Sequence, residues 1–359
     1  VFSDLVTLTD CGLFCQEGDF YIDPWRPVKR ALITHAHSDH ARQGSDSYLT
    51  AASGERLLRS RLGAIASIQT VPYGETLQMK SVKVSLHPAG HILGSAQVRI
   101  EHKGEIWVVS GDYKIQSDST CDAFEAIPCH TFLTESTFAL PIYRWQDPAK
   151  LFSEVNLWWQ KCKENGKTAL LFGYSLGKCQ RLLAGVDTSI GPIYTHGAVE
   201  NLNQCYRQSG VALPATRWLG SLPKGTKFAG ALVLAPPSAS STPWTRQLGA
   251  TSTAFASGWM RIRGTRRRRA IDRGFVISDH VDWPGLNETI KETGANRIIA
   301  THGYSSELVR WLKQKGINAE TMTTKFDDQL EEPQDNNPQD NSPQENNPPT
   351  HPEQRDESF

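Results

Sequence analysis

The sequence predicts a mixed α/β protein: a strand-rich core, a second α/β segment inserted into it, and a disordered tail. Three observations carry this. Short apolar runs bounded by turns fill the first hundred residues, helix-like and strand-like runs alternate after about Asp147, and the last 33 residues are almost free of apolar side chains. At 359 residues the chain is long enough to bury a core in each of two domains.

In chain order, Phe20–Ile22 and Ala31–Thr34 are compact apolar runs, each closed by a polar residue and a loop. Val82–Leu86, Ala96–Glu101 and Ile106–Ser110 are further strand candidates, the second with period-two alternation. Ser53–Leu62, rich in Arg and Leu, reads as a helix. Over Pro148–Glu164, Leu151, Phe152, Val155, Trp158 and Trp159 recur at helical spacing. Thr168–Phe172 has the texture of a buried strand, and Gly173-Tyr174-Ser175 leads from it to a helix at Leu176–Leu183, the order of an α/β unit. Helix Val199–Gln208 and strand Ala231–Ala235 continue this pattern. Phe275–Ser278 and Arg297–Thr301 return to the strand-then-histidine texture of the first half. The expected domains are a core over 1–147 and 271–326, an insert over 148–270, and a tail over 327–359. In the tail a Pro-Gln-acid-Asn-Asn/Ser unit recurs at Pro333, Pro338 and Pro343. Such a segment cannot offset its ordering entropy by burial, so disorder is expected.

Net charge is zero, with 38 basic and 38 acidic residues, but unevenly spread. The tail holds ten acidic residues and one basic one, which leaves residues 1–326 at +9. A basic body suggests an anionic partner, although on charge alone a solvated surface with a solubilising tail is the better reading. The seven cysteines include one close pair, Cys11 and Cys15, and no second pair to complete a four-cysteine zinc site. Scattered thiols in a chain of this size point to the reducing cytoplasm. No apolar run of 18 residues is present and no secretory signal pattern opens the sequence, so no membrane partner is expected.

The chemistry concentrates in Thr34-His35-Ala36-His37-Ser38-Asp39-His40, directly after a predicted strand. Imidazoles and a carboxylate in one short loop suit Zn²⁺, and in an extended stretch His35 and His37 point the same way and can share an ion. Without a metal, so many imidazoles would leave many polar groups to satisfy. Gly90-His91, Gly111-Asp112 and His302-Gly303 repeat the design at three further strand ends. One such residue is commonly a cap or turn residue, but four clusters in one chain can supply a dinuclear set.

His-x-His-x-Asp-His followed by separate His, Asp and His motifs resembles the metallo-β-lactamase superfamily. That resemblance implies an αββα sandwich and two Zn²⁺ ions, with Mn²⁺ as an alternative. It implies His35, His37 and His91 on one ion, Asp39, His40 and His302 on the other, and Asp112 bridging. Thr134-Glu135-Ser136-Thr137-Phe138, the inserted α/β segment, Ser278-Asp279-His280 and the closing His302-Gly303 resemble the β-CASP nucleases, whose core is interrupted by a cap domain and which cut DNA or RNA. Asp23 matches their first motif as a group that orients metal ligands. Phe20–Pro27, Ser257-Gly258-Trp259-Met260, the arginines Arg266, Arg267, Arg268 and Arg269, and Ser278–Pro284 are similar to the bacterial ligase-associated DNA exonucleases. This similarity spans nearly all of residues 5–322 and implies a zinc-dependent DNA exonuclease of DNA repair, functionally associated with a DNA ligase. His302 and Glu135 are the residue types of the RNA-cleaving polyadenylation endonucleases, whereas Artemis-like nucleases have Val and Asp there.

The reaction this implies is metal-assisted phosphodiester hydrolysis. The ions lower the pKa of water to about 7 and neutralise charge on the phosphoryl oxygens. The acidic residues of the centre, Asp39 and Asp112, hold the ions. His280, a motif histidine not needed as a ligand, is the candidate acid for the leaving oxygen, and the resemblance places Glu135 to hold its ring. The alternative for His280 is a structural residue in a helix-entry turn capped by Ser278. Ser175-Leu176-Gly177-Lys178, between a strand and a helix, offers Ser175 and Lys178 to a phosphate but lacks Walker A spacing, so ATP binding is not implied. His196-Gly197 reads as a cap or a nucleic-acid contact. Arg261, Arg263 and Arg266 to Arg269 put six arginines in nine positions beside Trp259, a pattern suited to phosphate contacts. Rival readings are a ribonuclease of RNA processing, a small-substrate hydrolase on the same fold, and a non-catalytic nucleic-acid-binding subunit.

Overall fold

The computed structural model describes residues 4–240, 242–262 and 271–325. The arginine run at 266–269 and the acidic tail lie outside the described residues. Three six- or seven-stranded sheets organise the rest.

The first sheet takes the order Thr7–Thr9, Gly12–Cys15, Phe20–Ile22, Arg30–Leu32, Ser47–Ala51, Ile68–Val71. The second runs Ala319–Thr321, Arg297–Gly303, Thr131–Ser136, Glu105–Val109, Ala96–His102, Val82–Pro88, Thr76–Met79. Alternation along the strands builds the layer between these two sheets. Ala96, Val98 and Ile100 point into it, with Ile100 opposite Val84 and Val98 opposite Leu86. They meet Phe20, Ile22, Leu32 and Leu49 of the first sheet. Each of these Val, Leu, Ile and Phe side chains, fully buried, contributes roughly 1.5–3 kcal/mol. Gln97, on the opposite face, is buried too, and its amide donates to the carbonyls of Pro88 and Glu125.

Helices cover both outer faces. Glu55–Leu62 packs Leu58 and Leu62 on Ala31, Ile33 and Tyr48. Trp283–Thr293 and Ser305–Gln314 place Leu286, Ile290, Leu308 and Leu312 on Val108, Phe132, Ile298 and Ala300. The result is the expected αββα sandwich.

The third sheet is wholly parallel: Arg217–Trp218, Ile193–Thr195, Leu232–Ala235, Thr168–Phe172, Thr251–Ala256, Arg273–Phe275. A parallel sheet covered on both faces needs strands that are apolar throughout, and Thr168–Phe172 is buried at all five positions. Ala169 and Leu171 face one cluster with Val155, Trp159 and Leu182, while Leu170 and Phe172 face the other with Val233 and Phe255. Helix Pro148–Glu164 begins at Asp147, whose carboxylate caps Ala149 N, and continues through Pro148 at its first position.

Among the boundaries that shift from the sequence reading, two bear on how the third sheet is built. The expected strand Phe275–Ser278 is instead Arg273–Phe275, and it pairs with Thr251–Ala256 at the edge of the third sheet. The third sheet thus reaches past residue 270. Helix Leu176–Leu183 is observed as Lys178–Gly185, because Gly177, at φ +84°, turns the chain before the helix can start.

Candidate metal centre

Strand direction gathers the candidate residues. Glu105–Val109, Thr131–Ser136 and Arg297–Gly303 are mutually parallel, and Val82–Pro88 runs the same way because two antiparallel steps separate it from Glu105–Val109. Their carboxyl ends therefore share one edge of the second sheet, which brings His91, Asp112, Glu135 and His302 together. The loop after Arg30–Leu32 brings His35, His37, Asp39 and His40 from the first sheet.

Small residues beside the ligands have a steric reason. Gly90 is at φ +72°, and a Cβ there would stand 2.2 Å from the Lys114 carbonyl oxygen. Gly111, at φ +56°, would press a Cβ to 2.8 Å from that of Thr34. Two non-glycine residues of the site, Asp23 (φ +45°) and His302 (φ +56°), are also left-handed, a conformation that persists only where surrounding bonds impose it.

Three imidazoles each engage an oxygen on the outer side and turn the other nitrogen inward. His91 Nδ1 lies 2.7 Å from the Asp279 carbonyl, His37 Nε2 lies 3.2 Å from the Leu176 carbonyl, and His35 Nδ1 lies 3.1 Å from Thr34 Oγ1. The inward nitrogens converge: His37 Nδ1 is 3.1 Å from His35 Nε2 and 3.0 Å from His91 Nε2. Asp112 Oδ2 lies 3.5 Å from His35 Nε2 and 3.8 Å from His91 Nε2. Ligand atoms of His35, His37, His91 and Asp112 all fall within 4.8 Å of one another. Burial, and next the neighbouring imidazoles, hold His35 and His91 well below the ordinary histidine pKa: for His35 the strongest neighbour is His40, for His91 it is His280. Neutral imidazole is the ligand form. Three lone pairs and a carboxylate aimed at one point fit a divalent cation of the zinc type.

Beside this group, His40 Nε2 lies 3.4 Å from both Asp39 Oδ2 and Asp112 Oδ2. Its Nδ1 is 2.7 Å from Asp23 Oδ2, the oxygen that also accepts from Thr34 Oγ1 at 2.5 Å. Asp23 thus anchors His40 directly and His35 through Thr34. Burial disfavours the His40 cation, yet Asp112, Asp39 and Asp23 together raise its pKa well above the ordinary value. That excess of carboxylate suits a second cation in this position. His302 lines the same two cavities as Asp39 and Asp112.

A second compact group adjoins the first. His280 Nδ1 lies 2.9 Å from Glu135 Oε2 and 3.9 Å from Asp112 Oδ2. Glu135 also accepts from Tyr113 N at 2.8 Å and from Thr137 Oγ1.

Comparison with known proteins agrees with this architecture. The chain is 30% identical over 311 residues to a protein of Opitutus terrae named "Probable DNA ligase", an alignment covering 86% of this chain and 30% of that protein. It is 29% identical over 177 residues to the Cleavage and polyadenylation specificity factor 73 of Drosophila melanogaster, covering 46% of this chain and 25% of that one. The chain is a relative of the β-CASP metallo-β-lactamase proteins. It spans less than a third of the length of either relative. A protein of unknown function from Enterococcus faecalis V583 shares the fold, with a TM-score of 0.57 at 11% identity, over 82% of this chain and 79% of that one. No protein-family model matches the chain.

The remaining expected residues divide. Lys178 lines the cavity that holds His37, His91 and His280, is itself buried, and pairs with Asp279 at 3.7 Å. Ser175 lies outside it, in an adjoining cleft with Ala36, Arg61 and Ala198. The start of helix Lys178–Gly185 is also less open than expected. Gly177 N donates to Gln180 Oε1 and Cys179 N to the Tyr174 carbonyl, so neither is left for a phosphate. His196 caps its helix by accepting from Ala198 N. Ser278 does not cap the helix after His280; Asp282 does, accepting from Gly285 N.

The sequence reading missed a buried ionic network beside the centre. Lys114 Nζ donates to Asp118 at 2.8 Å, Arg181 Nε lies 3.2 Å from the same carboxylate, and Arg181 and Lys178 both flank Asp279. Although burial opposes its charge, Lys178, Arg181 and Lys114 hold the Asp279 carboxyl down at about 2. Asp279 stands in the Ser278-Asp279-His280 motif, but nothing in the sequence pairs it with residues about 100 and 160 positions earlier.

Proposed function

We propose that this chain is a zinc-dependent nuclease that hydrolyses phosphodiester bonds of DNA, an exonuclease acting in DNA repair. The observation that carries the reading is the convergence of His35, His37, His91 and Asp112 within 4.8 Å, with the Glu135–His280 pair touching the same carboxylate. His35, His37 and His91 would hold one ion, Asp39, His40 and His302 the other, and Asp112 both. When bound, the metals supply a lowered pKa for water and positive charge toward the phosphoryl oxygens. Manganese is the alternative ion for the same donors.

The chain's own residues do the rest. Asp23 keeps the ring of His40 and, through Thr34, that of His35 in the tautomer that faces the centre. Glu135 holds the His280 ring by Nδ1 and so positions it as the acid that would give a proton to the leaving oxygen. Lys178 stands at the cavity wall as a cation for the substrate's phosphate, and the arginine run at 266–269 would add positive charge for phosphate contacts. We read the segment around the third sheet as the substrate-holding insert.

A DNA substrate and a functional link to a DNA ligase are supported by the Opitutus relative, which is named a probable DNA ligase and aligns with 86% of this chain. RNA is the second reading. It is favoured by Glu135 and His302, and by the relative named for cleavage and polyadenylation. No helix among the described residues is long and apolar enough to cross a membrane. The seven unbridged cysteines support a cytoplasmic setting.

Incubating the zinc-loaded protein with end-labelled DNA and RNA, each single- and double-stranded, tests the reading. Stepwise release of mononucleotides from DNA is expected. Faster cleavage of RNA selects the second reading, and no cleavage of either polymer overturns both.

A further inference from the structure

The buried network beside the centre joins three parts of the chain that are distant in sequence. Lys114 and Asp118 follow Asp112, Lys178 and Arg181 belong to helix Lys178–Gly185, and Asp279 precedes His280. Arg181 is its hub and is only 6% exposed. Its Nη1 donates to the Ser278 carbonyl and stands 3.5 Å from Asp279 Oδ1, while its Nε faces Asp118. The contact with Oδ1 is an ion pair without a hydrogen bond, and that oxygen has no hydrogen-bond donor among the described residues. Burying a guanidinium is costly unless good partners surround it, so this arrangement needs a reason.

The residues that Arg181 grips lead straight to the centre. The carbonyl of Asp279, the residue after Ser278, lies 2.7 Å from His91 Nδ1. Ser278 Oγ accepts from the backbone N–H of His280, whose ring meets Glu135. A shift of the 278–280 turn would therefore move the acceptor that sets the His91 ring and, at the same time, the ring of His280. Helix Lys178–Gly185 fixes where the guanidinium stands, so the turn is held from outside the two sheets that carry the ligands.

We propose that Arg181 is a positioning residue of the metal centre: by holding the Ser278–Asp279 backbone it orients His91 toward the metal and His280 toward Glu135. This rests on the metal-centre reading above. Arginine suits the task because its planar fork offers donors in two directions, toward Asp118 and toward the turn, which a lysine ammonium cannot match. Lys114 and Lys178 pair Asp118 and Asp279 independently, so replacing Arg181 leaves each buried acid with a cation.

The test measures zinc affinity by chelator competition, together with kcat and KM, on the full chain of wild type, Arg181→Met, Arg181→Lys and His91→Ala. Arg181→Met is expected to bind zinc about 10–100-fold more weakly and to lose kcat by a similar factor, with KM within about twofold. A merely structural role would lower the melting temperature and leave zinc affinity per folded molecule unchanged. Wild-type affinity and kcat in folded Arg181→Met overturn the proposal. If that variant does not fold, Arg181→Lys is read in its place, since it keeps the charge but not the fork, and the same loss is expected. His91→Ala separates the two levels. If it retains the wild-type zinc stoichiometry and affinity, the metal-centre reading fails. If it loses zinc while the Arg181 variant does not, only the role of Arg181 fails.

Discussion

Glu135 and His280, 145 residues apart in the chain, meet through Oε2 and Nδ1 at 2.9 Å. The carboxylate is held from two further sides by Tyr113 N and Thr137 Oγ1, so it cannot swing to follow the ring. The imidazole is thereby fixed at the rim of a cavity shared with His37, His91, Asp112 and His302. An orienting carboxylate, a histidine and an adjacent metal-type donor set are the parts that the proposed proton transfer to a leaving group requires.

Replacing His280 by Ala should lower kcat by about 10²–10⁴-fold and leave bound metal intact, because Glu135 keeps two other donors and the four-residue cluster is untouched. Steady-state kinetics alongside elemental analysis decides this. Loss of metal in the variant would refute the assignment.

Asp23 serves both halves of the centre, so Asp23→Asn should weaken metal binding by about 10–100-fold even though Asp23 is not itself a ligand. Asparagine tolerates the left-handed backbone at this position, which isolates the loss of the acceptor from backbone strain. Chelator competition reads the effect. Equal affinity in the two proteins would show that His40 and His35 do not depend on Asp23.

The Asp279 carboxyl is held at about 2 against an ordinary value of 3.8. Between these values the unfolded chain binds the proton and the folded chain does not, so the stabilisation is complete above the ordinary value and is lost as pH falls through about 2. It amounts to about 2 kcal/mol. Urea unfolding of the metal-free protein between pH 4 and pH 2 should therefore be less pH-dependent in Asp279→Asn than in wild type. Parallel profiles would argue against the paired state of this carboxylate.

Changing Arg266, Arg267, Arg268 and Arg269 to Gln should raise KM and flatten its dependence on salt, each lost phosphate contact removing roughly one unit from the logarithmic slope. Cleavage assays from low to physiological ionic strength give the slope. An unchanged slope would remove the run from the substrate path.

The sequence by itself marked the residues that the structure gathers at the candidate centre, because each stands in a locally abnormal stretch. His91 and Asp112 follow glycines that the structure needs for close backbone approach, His302 precedes one, and the loop after Arg30–Leu32 is crowded with imidazoles. The αββα layers were readable for a similar reason, since period-two alternation of apolar residues in Ala96–His102 states which face meets the first sheet. Only tertiary structure decided the rest. Parallel pairing with Thr251–Ala256 assigned Arg273–Phe275 to the third sheet, and no local pattern reports a partner about 20 residues away. The Lys114–Asp118–Arg181–Asp279–Lys178 network was equally invisible, because charged residues read as solvated until the fold takes water away from them. Backbone periodicity is a property of neighbours in sequence, whereas burial of charge depends on which distant segments the folded chain brings together.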